Sequence, residues 1–125
     1  MTDSIITTAA TLWLDERDIL HVRAKGVPST AETVQESFDA MGQLLGDRRA
    51  LFFFDARDWP FGSAGSWVAF INRVQEVCIA GAVLVDPAQP ADLGPYPDLL
   101  SRLLVPLGVF DTEDDAYAFL DLHAD

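Results

Sequence analysis

Ala50-Leu51-Phe52-Phe53-Phe54-Asp55-Ala56-Arg57-Asp58-Trp59-Pro60-Phe61-Gly62-Ser63-Ala64-Gly65-Ser66-Trp67 decides how this chain is read. It starts as an unbroken apolar run and changes abruptly into acid, base, proline, glycine and serine. A short continuous apolar run suits a strand covered on both faces, as in a parallel sheet flanked by helices. Ligand and partner sites in such sheets gather beyond the carboxyl ends of the strands. Asp55 to Ser66 are expected at that edge, and Ser63 and Ser66 compete to cap a helix running to about Val77.

Upstream, Thr11–Asp15 and Ile19–Lys25 are predicted to be strands joined by Glu16-Arg17-Asp18, a hairpin. Leu20, Val22 and Ala24 alternate with His21, Arg23 and Lys25, so the second strand is expected to be half exposed, with His21 on the polar side. Residues 1–10 are read as a flexible tail and residues 11–125 as one domain. Ser29-Thr30-Ala31-Glu32 has capping-box spacing, with Ser29 as cap. Val34, Phe38, Met41 and Leu45 then form one helical face, closed by Gly46.

Downstream, Ile79–Val85 repeats the central-strand pattern and Cys78 is expected on the buried stripe of the preceding helix. Residues 86–95 are turn-rich. Tyr96-Pro97-Asp98 opens a leucine-rich third helix, which includes Leu107 and ends around Pro106 and Gly108. Val109-Phe110 is a short strand, and Asp111–Asp115 caps a last helix carrying Ala116, Phe119 and Leu120. The order β-β-α-β-α-β-α-β-α predicts an α/β fold: a mostly parallel central sheet, an antiparallel N-terminal hairpin, and helices packed on it.

The 125 residues carry 8 basic and 20 acidic side chains, a net charge of −12. Such an excess argues against phosphate-backbone binding, so no nucleic-acid partner is expected. No apolar stretch approaches the roughly 20 residues that span a bilayer. The N-terminus lacks a basic leader, and the single cysteine fits a reducing cytoplasm. The six carboxylates from Asp111 to Asp125 are read as a solvated helix face. His21 and His123 are far apart in sequence and have no second ligand at helical spacing, so neither metal nor cofactor is expected. Gly62–Ser66 lacks the lysine of a phosphate loop.

Ile19–Gly26, Leu51–Arg57 and Val109–Leu120, set in this order of elements, resemble the STAS-like domains, and within them the SpoIIAA-like branch of anti-sigma-factor antagonists. The likeness runs over about residues 11–122. It implies a bacterial, cytoplasmic, non-enzymatic interaction domain whose partner is a kinase or anti-sigma-like protein. It further implies a switch serine after the strand Leu51–Asp55. In the family a serine follows the aspartate closely; here Ala56–Gly62 intervene before Ser63, leaving Ser63 and Ser66 as degenerate candidates.

Asp55 and Arg57 with the aromatics Trp59, Phe61, Trp67 and Tyr96 are the expected partner- or ligand-binding residues, with Trp13 read alongside them. Loop aromatics point to an interface or ligand groove. The alternatives are therefore a homodimer face or a carrier of a small apolar molecule, for which the SpoIIAA-like resemblance implies a lipid-like cargo. A third reading takes Asp55, Arg57 and Asp58 as acid/base equipment of an enzyme.

Overall fold

The computed structural model describes residues 4–25, 30–57, 73–86 and 105–124. The expected serine and aromatic positions Ser63, Ser66, Trp59, Phe61, Trp67 and Tyr96 lie outside them, as do Asp58 and most of the second and third expected helices.

Hydrophobic alternation and chain direction build a six-stranded mixed sheet in the order β1-β2-β3-β4-β5-β6. The strands are β1 (Ser4–Ile6), β2 (Ala10–Leu14), β3 (Ile19–Ala24), β4 (Ala50–Asp55), β5 (Cys78–Leu84) and β6 (Leu107–Phe110). The pairs β1–β2 and β2–β3 are antiparallel, whereas β3 through β6 run parallel. Helix α1 (Ala31–Leu45) links β3 to β4, and α2 (Glu113–His123) follows β6. The α/β class and the hairpin leading into parallel strands agree with the sequence. No helix of the described residues is long and apolar enough to cross a membrane.

The tripled phenylalanine of β4 divides between two cores. Phe52 and Phe54 face α1, packing with Leu12, Leu20, Val22, Met41 and Leu45. Phe53 faces the opposite way, toward α2, with Ile19, Ala82, Leu84, Ala116 and Leu120. Period-2 side-chain alternation in a strand buried on both sides requires this division.

Residues 4–10 are built into the sheet rather than forming a tail. Ser4–Ile6 pair with Thr11–Trp13. Thr7 is buried, its backbone and hydroxyl both bonding Ala10, and the Lys25 ammonium donates to the Thr7 carbonyl at 2.9 Å. The α1 cap also shifts by one residue. Thr30 accepts from the Thr33 N–H while the Thr33 hydroxyl accepts from the Thr30 N–H, a reciprocal box made with threonine in place of glutamate.

Cys78 begins β5 rather than ending a helix. It is fully buried and pairs with Ala50. Leu51 then pairs with Ala80, so Ile79 is the extra residue of a bulge and stands 44 % exposed. Burial pushes the Cys78 thiol up to about 12 against the opposing charge of Arg49, so it is a packed apolar group. Leu107 and Gly108, expected at a helix end, belong to β6. Parallel pairing with Gly81–Leu84 claims them for the sheet.

A pocket on the second face of the sheet

Helix α2 lies over β4, β5 and β6. Beside it, the same sheet face presents Trp13 from β2, His21 and Arg23 from β3, and Phe53 and Asp55 from β4. With Arg57, Glu113 and Tyr117 these residues line a pocket of about 170 Å³. Two of the expected binding residues, Asp55 and Arg57, are thereby brought together with Trp13.

The hairpin turn sets the floor. Asp18 adopts the left-handed conformation, φ 61°, and the Asp15 carbonyl accepts from its N–H, closing a three-residue connection. That register sets Trp13 directly opposite His21. Their rings stack at 4.8 Å and 5° between planes. His21 also meets Phe53 at 5.3 Å, and Phe53 stacks on Tyr117 at 4.8 Å. Arg17 covers the outer face of Tyr117, its guanidinium carbon 5.0 Å from the ring centroid.

His21 is 8 % exposed, against the expectation of a polar, outward residue. Its Nε2 lies 2.8 Å from Oδ2 of Asp15, whose Oδ1 accepts from the N–H groups of Arg17 and Ile19 at 2.8 and 3.0 Å. Burial works to raise the Asp15 carboxyl, but the hydrogen bond from His21 and the two backbone donors outweigh it and hold it below the ordinary carboxylate value. An ionised carboxylate accepts only, so Nε2 carries the proton shared with Asp15. Among the described residues, Nδ1 has no hydrogen-bond partner.

At the rim, Asp55 accepts from Arg57 Nε at 2.9 Å and Nη2 at 2.6 Å, a two-pronged pair. Burial raises the Asp55 carboxyl, while the bonds and charge of Arg57, helped by the charge of Arg23, bring it below its usual range. Glu113 stands 3.9 Å from Arg57 with its side chain 59 % exposed. Arg23 forms no ion pair with any described residue. The Tyr117 hydroxyl is pushed up by burial and by the nearby Glu113 and Asp15 carboxylates, so it stays protonated at neutral pH.

Sequence reading located Asp55, Arg57 and Trp13 but missed His21, Arg23, Glu113 and Tyr117. The alternation of β3 put His21 and Arg23 on the solvent side. Arg23 is indeed exposed, whereas His21 is buried; nothing local signals that a helix beginning at Glu113 returns to cover that part of the face. The usable signal was the turn at Glu16–Asp18, which fixes Trp13 against His21. No group of three or more His, Cys, Asp or Glu suited to a metal occurs among the described residues. Comparison of the chain with protein-family models, curated proteins and solved structures finds no match.

Proposed function

We propose that this chain is a non-enzymatic binding domain and that the pocket between β2, β3, β4 and α2 is where it holds a small molecule. The observation that carries this reading is one concave site combining an aromatic floor with fixed charges: Trp13, Phe53 and Tyr117 against Arg23, Asp55 and Arg57. Engagement of Asp55 by both prongs of Arg57 favours holding over turnover, because each of its oxygens is already tied to the guanidinium and the carboxyl is held ionised. The charged rim also suits a polar ligand better than the lipid-like cargo of the carrier alternative.

A screen of neutral, anionic and cationic one-ring fragments by NMR tests the reading. Binding fragments are expected to shift the Trp13 indole and Tyr117 signals, and Trp13→Ala is expected to abolish those shifts. A screen in which no fragment moves these signals refutes the pocket as the binding site.

A second reading is a STAS-like regulatory domain that docks a kinase or anti-sigma-like protein, or a second copy of itself. It draws support from the hairpin leading into parallel strands and from Asp55 ending β4, where the family resemblance expects the switch region. The serine candidates Ser63 and Ser66 are tested by Ser63→Asp and Ser66→Asp. Unchanged affinity for every partner recovered in pulldown, and unchanged mass by light scattering, would dismiss the switch.

A further inference from the structure

We infer that the ligand class of this pocket is a small planar aromatic carboxylate bearing a hydroxyl group, an inference that rests on the small-molecule reading above. Size sets the first limit. A cavity of roughly 150 Å³ holds benzene, and this pocket, at about 170 Å³, takes a single substituted ring. Shape sets the second, since Trp13 and Phe53 line the pocket with rings and Tyr117, its faces taken by Phe53 and Arg17, adds an aromatic edge, a wall that suits a flat ligand.

Charge sets the third. Asp55 and Arg57 neutralise one another, and Glu113 leans toward Arg57 from a solvated position. Arg23 is the lining cation with no ion-pair partner among the described residues, and a guanidinium matches a carboxylate in geometry as well as sign. The fourth limit comes from His21. Its side chain is 10 % exposed and its Nε2 is committed to Asp15. A buried ring nitrogen without a partner is uncommon, and a ligand hydroxyl, which both donates and accepts, would satisfy Nδ1 as acceptor or as donor. His21 and Arg23 lie two residues apart on one face of β3, about 6.6 Å along the strand. Opposite ends of a substituted ring meet a spacing of that order.

The test compares 4-hydroxybenzoate with benzoate and 4-hydroxybenzamide by NMR titration of the full chain. Saturable binding of 4-hydroxybenzoate is expected to shift the His21 ring and the Arg23 guanidinium. Each analogue should bind about tenfold more weakly, the scale of one hydrogen bond to a charged or buried group. Arg23→Gln should erase the preference over the amide, and His21→Phe the preference over benzoate. Near-UV circular dichroism checks that each variant keeps its fold; Arg23→Gln, at an exposed position, decides the charge arm alone if His21→Phe does not fold. Equal affinity for all three probes, preferences that survive both substitutions, or no binding overturns the ligand class. Shifts from other fragments at Trp13 would leave the pocket itself standing.

Discussion

Asp15 shows how one side chain joins fold and site. Its carboxylate satisfies two turn N–H groups and orients the buried His21 ring, so its removal leaves the Ile19 N–H and the His21 ring short of a partner, while water can take up the exposed Arg17 N–H. Asp15→Ala is expected to destabilise the protein by about 2–3 kcal/mol, measured by urea denaturation, because unmade bonds to buried groups cost more than the mean hydrogen bond contributes. Acid should act through the same residue. The Asp15 and Asp55 carboxyls lie below the ordinary carboxylate value in the folded protein, so the unfolded chain binds those protons more tightly. Their contribution is complete above the unfolded value and is lost as pH falls through the folded ones. The denaturation midpoint should therefore stay flat down to about pH 5 and drop on further acidification. Asp15→Asn should make that drop shallower; an identical slope would remove Asp15 from the account.

At the scale of elements, α2 matters most for the site, since it supplies Glu113 and Tyr117 and the cover over Phe53. Thr112 accepts from the Asp115 N–H at 3.2 Å, and Glu113, Asp114 and Asp115 sit at the positive end of the helix with His123 near the other. Thr112→Ala should cost about 1 kcal/mol of stability by thermal or urea melting, and addition of salt should weaken what the charges add. The β5–β6 pairing depends on Gly81. A methyl group there would run into the Leu107 side chain and come within 3.1 Å of a Phe54 ring carbon. Gly81→Ala is accordingly expected to destabilise by about 1–3 kcal/mol, as overpacked cores do, while a neutral result would mean that Leu107 swings aside.

Over the whole molecule, the sheet is two cores sharing one set of strands. Phe52 faces the α1 core and is fully buried, so Phe52→Ala should cost about 3–5 kcal/mol while leaving ring ligands bound to the folded fraction. The interior strands β2, β3, β4 and β5 are flanked on both sides, and β1 is a three-residue edge. Native-state hydrogen exchange should find the slowest amides in β4 and early exchange in β1. Protection of β1 equal to that of β4 would instead mean that something pairs with its open edge.

The sequence alone determined the local grammar: the hairpin, the α1 stripe with Gly46 closing it, the apolar strands at β4 and β5, and the placing of Asp55 and Arg57 at the carboxyl end of β4. These follow from periodicity and turn chemistry, which act over a few residues. Tertiary structure decided the rest. Ser4–Ile6 became a strand only because β2 offered an edge to pair with. Cys78 and Leu107 joined strands because neighbouring strands claimed their backbones. His21 became buried because a helix nearly a hundred residues later covers the face that alternation gave to water. Burial of one strand face is a property of whatever packs on it, and no local pattern carries that information.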